Sequence, residues 1–312
     1  MVHMNINFIV IKIFLGLSLL FSHSFASATL SVFSCEPEWQ SLVDELGGDH
    51  VSSFSATTAF QDPHHIEARP SLIAKLRQAD LLVCTGAELE IGWLPILQQK
   101  SANKQVQNNH LGYFMTSEQV TLLDVHAHVD RSMGDVHAAG NPHVHLDPYR
   151  LLNIAKKLSK RLKLLDSENA DYFQGRYDDF EKNWQTAITQ WEHDAKVLSG
   201  MKVVVQHANW RYLFEWLGIE VVADLEPKPG IPPSTSHIVS ILDSLSMHQT
   251  SLIAVAAYQS PTGAHWLAQK TNIPVVTLPF TVGGTVEAND LFSLYQVTLS
   301  LLLNNVKQEN IN

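Results

Sequence analysis

Residues 148–198 read as helix almost without a break, and on both sides of that block short β-branched runs alternate with amphipathic stretches. This alternation constrains the fold more than any other feature of the chain. Before the block, "LSVFS" (30–34), "HVSSFSATT" (50–58), "DLLVC" (80–84) and "VTLLDV" (120–125) read as strands. They are separated by helical stretches: "EPEWQSLVDELGG", a segment opening at Pro70, and "GWLPILQQ". After it, "KVVVQ" (202–206), "IEVVA" (219–223), "SLIAVAA" (251–257) and "IPVVTL" (273–278) alternate with "NWRYLFEWL", "SHIVSILDSL" and "TGAHWLAQKT", and a last helix is expected from Glu287. Strand–helix alternation builds parallel sheets covered on both faces. The predicted fold class is therefore α/β. Two lobes, 29–165 and 199–312, each carry a parallel sheet flanked by helices, and one long interlobe helix over 166–198 joins them. Ser167 is its expected N-cap, and no proline interrupts it. A helix of that length is not an ordinary crossover; it reads as a strut beside a cleft.

The first 28 residues stand apart. One lysine (Lys12), the apolar run "IFLGLSLLF" and the small-x-small triplet Ala26-Ser27-Ala28 have the form of a cleaved secretory signal. The apolar run is too short to span a bilayer. The net charge of −10 argues against nucleic acid and anionic membrane as partners. Only two cysteines occur, Cys35 and Cys84, each ending a strand-like run. In an oxidising compartment they could pair as a disulfide; free thiols are the alternative, and the spacing is no redox motif.

Sixteen histidines lie in 312 residues, and their positions are informative. Ligands of open parallel sheets bind outside the carboxyl ends of the strands. His64 follows the strand near Phe54, His207 follows "KVVVQ" directly, and His143 ends the loop after "VTLLDV" just before a helix. Two loops of the first lobe and one of the second thus bring histidine to one cleft. Neutral imidazole suits a tetrahedral zinc ion, whereas manganese and magnesium favour oxygen. A single strand-end histidine is usually a capping or hydrogen-bonding residue; three at corresponding places are not readily explained that way.

The segments "DPHHIEARP", "GNPHVHLDP" and "VVVQHANWRYLFEWLGIEV", in that order, resemble the histidine-bearing segments of zinc-binding solute receptors of ABC-type metal importers, in the zinc/manganese class. "TGAELEIGWLP" and "LPFTVGGT" look like a subgroup of that family. The resemblance spans nearly all of the chain beyond residue 28. It implies a periplasmic protein, exported through a cleaved signal peptide, that captures Zn2+ (with Mn2+ the second choice) as transported ligand. It further implies delivery to a membrane ABC permease by a monomer, with no catalysis. It also assigns His64, His143 and His207 as metal ligands.

One departure matters. The family commonly draws a carboxylate ligand from the loop after the last strand, and "TLPFTVGGTVEAND" has nothing acidic before Glu287. Water, His65, Glu67 and His145 stay open as the fourth position, with His65 expected in a supporting or solvent-facing place. The segment 122–145 also holds His126, His128 and His137; it is read either as a weak zinc collector or as an ordered cover. "NWRYLFEWLG" is the apolar face of a core helix. The rival readings are a secreted three-histidine zinc hydrolase and a stand-alone zinc metallochaperone. The sequence lacks both H-E-x-x-H and G-x-S-x-G.

Overall fold

A computed structural model describes residues 29–130, 133–245 and 249–309; the expected signal peptide lies outside them. The first lobe is built on β1 (Leu30–Ser34), β2 (Val51–Ser55), β3 (Leu81–Cys84) and β4 (Tyr113–Met115), all parallel in the order β2-β1-β3-β4. The second has β5 (Lys202–Val205), β6 (Glu220–Asp224), β7 (Leu252–Ala256) and β8 (Val275–Leu278), parallel in the order β6-β5-β7-β8. Both sheets reverse strand order beside their first strand, which opens a crevice at the carboxyl ends.

Proline sets the start of four helices: α1 (Pro37–Gly47), α2 (Pro70–Arg77), α3 (Leu94–Ser101) and α4 (Pro148–Leu165) each carry one in the first turn. There its missing N–H costs nothing, because no intrahelical partner exists for it. The long helix α5 (Ala170–Ala195) follows α4 and packs along it, so the expected strut is not solitary. Its cap also differs from expectation. Asp166, not Ser167, accepts the Asn169 amide, and residues 167–169 form a short 3-10 turn. Beyond β5 come α6 (Arg211–Leu217), α7 (Thr235–Leu245), α8 (Thr262–Thr271) and α9 (Leu291–Glu309). The last helix starts at Leu291; Glu287 is exposed in the turn ahead of it.

The expected strand over 120–125 is not one. That stretch is irregular, with Leu122 and Leu123 packed on the core and the Leu123 amide donating to the Tyr212 hydroxyl. The edge strand is instead the short β4. At the carboxyl ends of the two central strands, Cys35 and Cys84, one residue past β1 and at the end of β3, are buried and joined as a disulfide.

The main apolar core does not stop at the lobe boundary. Val32 and Trp39 of the first lobe, Phe180, Trp184 and Trp191 of α5, and Val203, Trp210 and Tyr295 of the second belong to one buried cluster. Helix α9 returns across the boundary to lie on α5 and α1. Tyr295 stacks on Trp191, and Phe292 meets Trp184 edge-on.

Candidate metal centre

The loop from β2 to α2 contains Asp62-Pro63-His64. The Asp62 carboxylate accepts the His64 backbone N–H at 3.0 Å and its ring Nδ1–H at 2.7 Å. Pro63 fixes φ between them, and its carbonyl accepts the Trp93 indole N–H at 2.8 Å. Asn141-Pro142-His143 repeats the device: the Asn141 side-chain oxygen accepts the His143 amide at 3.0 Å. Its side-chain amide donates to the Ala208 carbonyl, in the second lobe. Each is an Asx turn in which an acidic or amide side chain stands in for a backbone carbonyl and aims the following histidine. His207 needs no such turn, since it extends directly from β5, and its Nδ1–H donates to Glu226 at 2.6 Å just beyond β6.

The three imidazoles meet. One ring nitrogen from each of His64, His143 and His207 lies within 4.8 Å of the other two, and this is the one all-histidine group of three among the described residues. The ring centroids are 6.0–6.2 Å apart, each pair steeply inclined. The side chains of His64 and His207 are 8% exposed, and His143 is 2% exposed. Carboxylates on the Nδ1 atoms of His64 and His207 fix the tautomer that leaves Nε2 with a lone pair, the usual support of a metal-binding imidazole. The His64 and His207 rings border a cavity of ≈ 580 Å3 walled by Asp62, Glu226, Tyr258 and Trp266.

The family described as "Zinc-uptake complex component A periplasmic" matches residues 32–305. The chain belongs to that family. Its members are metal-binding components of ABC importers, not enzymes, and such a component implies a metal ion and a membrane permease as partners. Among similar proteins, the manganese ABC transporter substrate-binding lipoprotein PsaA of Streptococcus pneumoniae is 23% identical, covering 87% of this chain and 86% of its own. The high-affinity zinc uptake system protein ZnuA of Bacillus subtilis is 23% identical over 73% of this chain and 71% of its own. A crystal structure of ZnuA superimposes with a TM-score of 0.73 at 20% identity, over 88% of this chain and 98% of that one. A Mn-bound periplasmic metal-binding protein from Candidatus Liberibacter asiaticus gives 0.70 at 16%, over 88% and 99%. These likenesses establish the fold.

Within this family member, electrostatics separates the rings. Burial, reinforced by the neighbouring histidines, holds His143 well below the ordinary imidazole range. Its Nδ1 is buried without a hydrogen-bond partner. Burial also pulls His207 down, but the Glu226 carboxylate outweighs it, with Asp224 and Asp62 behind, and the net shift is upward. Asp62 is buried too, which would raise it, yet its bonds to His64 leave it below the usual carboxylate value.

The other positions considered for a fourth ligand lie elsewhere. The His65 side chain is 67% exposed, 3.7 Å from Asp135. Glu67 is exposed. His145 is buried, its Nδ1 3.2 Å from Glu38 and its Nε2 hydrogen-bonded to the Phe280 carbonyl of the second lobe. His126 and His128 are exposed. His137 is different: it leaves that loop and stacks on His64, with ring centroids 5.3 Å apart. Burial and then the charges of His64 and His207 push it down to about 4. Neither its approach nor the role of Glu226 was read from the sequence. Glu226 could have been found, because it too stands just past a parallel strand.

Proposed function

We propose that this chain captures zinc in the interlobe cleft through His64, His143 and His207 and delivers it to an ABC permease. The observation carrying this reading is the all-nitrogen cluster: three imidazoles from both lobes, each near the others, with no carboxylate in the group. Nitrogen donors in a tetrahedral arrangement suit zinc, whereas manganese prefers more oxygen ligands. Manganese is the second reading because relatives named for it match as well as those named for zinc. The proposed organisation is a signal peptide over 1–28, lobes over 29–165 and 199–312, and the interlobe segment 166–198. The mature form is a soluble periplasmic monomer cleaved after Ala28. Cys35 is held by Cys84, which leaves the nearest downstream thiol unavailable for a lipid.

Metal analysis and competitive titration of residues 29–312, with zinc and with manganese, test the reading. One tightly held zinc, displaced by manganese only at large excess and lost in His207→Ala, is the expected result. Preference for manganese, or zinc binding indifferent to His207, overturns it. N-terminal sequencing of exported protein checks the cleavage site, and light scattering checks the monomer.

A further inference from the structure

The cavity beside the metal centre is far larger than an ion needs. Its ≈ 580 Å3 compares with about 30 Å3 for one water molecule and lies within the range of about 300–1,000 Å3 that holds small organic ligands. It reaches two of the three clustered histidines, His64 and His207. Three imidazoles also leave a tetrahedral zinc ion one ligand short. We infer that the cargo of this site is zinc carrying a small nitrogen-donor amino acid, which fills the open position and occupies the cavity. This cargo rests on the zinc reading given above and adds the form in which the ion is captured.

Three features of the wall match the three groups of such a ligand. The first is an acceptor without a donor. Gln206 lines the cavity one residue before His207; it is 5% exposed, and its Oε1 is buried with no hydrogen-bond partner. A buried acceptor left in that state costs free energy until an N–H or O–H reaches it. The ammonium of an amino acid is such a donor, and Asp135, in the same wall, adds negative charge for it.

The second feature is the amino end of α8. Thr262 and Gly263, its first two residues, line the cavity. The residue at its N-cap is Pro261, which has no side-chain acceptor for the first-turn amides, and Gly263 places no side chain over them. Helix α7, which also opens on the cavity, differs: the Ser234 hydroxyl accepts its His237 amide at 3.3 Å. Uncapped amides at the positive end of a helix suit a carboxylate. The third feature is apolar. Trp266, one turn further along α8, joins Ile238 and Pro233 in the wall. Such a surface offers a hydrated ion no ligand, but it buries the ring of a donor such as imidazole. L-Histidine brings all three groups: a ring nitrogen for zinc, an ammonium for Gln206 and a carboxylate for α8.

Calorimetric titration of L-histidine into the zinc-loaded mature chain tests this, with histamine, which lacks only the carboxylate, as the comparison. One L-histidine per bound zinc is expected, with zinc retained through gel filtration and histamine at least about tenfold weaker. X-ray absorption at the zinc edge should pass from three imidazoles and an oxygen to four nitrogen donors when L-histidine is added. Thr262→Glu puts a negative charge at the first turn, where the helix itself tolerates it, and should erase the preference for L-histidine over histamine. Equal affinity for the two, or L-histidine that strips the zinc or fails to bind, would overturn the inference and leave the zinc reading intact. No bound zinc in the wild type would overturn both.

Discussion

At the scale of residues, the site rests on a repeated local rule: an Asx side chain, a proline, then a histidine. In D-P-H the acid serves both the backbone and the ring of His64; in N-P-H the amide serves only the backbone of His143. Asp62→Ala should therefore lower zinc affinity by about 10–100-fold, measured by competitive titration. The same change at Asn141 should act through loop position and leave the pH profile unaltered. The profile itself turns on His207. Its imidazole is raised by Glu226, so zinc must displace a proton from it at mildly acid pH. Affinity should begin to fall at a pH above the ordinary imidazole value of about 6.5. Glu226→Gln removes the raising charge and should move that onset to lower pH, even as affinity at neutral pH declines. His207 was legible because it directly follows a strand; His143 was legible from its N-P-H segment, since the strand expected ahead of it is absent. The approach of His137 to His64 was not, since the neighbouring Ala138 amide is held by Glu88, some fifty residues earlier in the chain.

At the scale of elements, short strand-like runs identified seven of the eight strands among the described residues. They failed at 120–125, where Leu122 and Leu123 are partly buried against the core, with the Leu123 amide on Tyr212, and are not paired in a sheet. Composition alone does not separate those two fates. The carboxyl ends of β1 and β3 hold a group that the sequence did not advertise. Glu36 and Glu90 are buried together beside the disulfide; burial raises both, Glu36 well above its ordinary value and Glu90 to about 7. The folded state thus keeps protons that the unfolded chain releases above about pH 4.5. The stability they contribute is complete below that pH and is lost as pH rises through 7 and beyond. Glu36→Gln, permanently neutral, should raise the melting temperature at pH 8 more than at pH 5, in metal-free protein. Opening the Cys35–Cys84 link, which closes a 49-residue separation, should cost up to about 4 kcal/mol on chain-entropy grounds, read from denaturant unfolding of the double serine variant.

At the scale of the whole molecule, a two-lobed α/β plan was legible from alternation on either side of a long helix. The continuity of the core between lobes was not, because it is made by contacts between residues a hundred positions apart. Trp184 on α5 lies 4.8 Å from Phe292 and 5.3 Å from Tyr295 of α9, ring centre to ring centre. Trp184→Ala should cost about 3–5 kcal/mol. Calorimetry should record a single unfolding transition for the wild type, not one for each lobe, and zinc should shift that transition upward as a whole. The return of α9 onto α1 and α5 has a further consequence for biogenesis. A chain delivered from its amino end presents the first sheet early, but the surface that seals its helices is encoded far later, in Leu291–Glu309. Until those arrive, the aromatic face of α5 lies bare. A protein truncated there should need a chaperone's protection, and a proteolytic pulse during export should find the nascent first lobe cleavable and the finished molecule resistant.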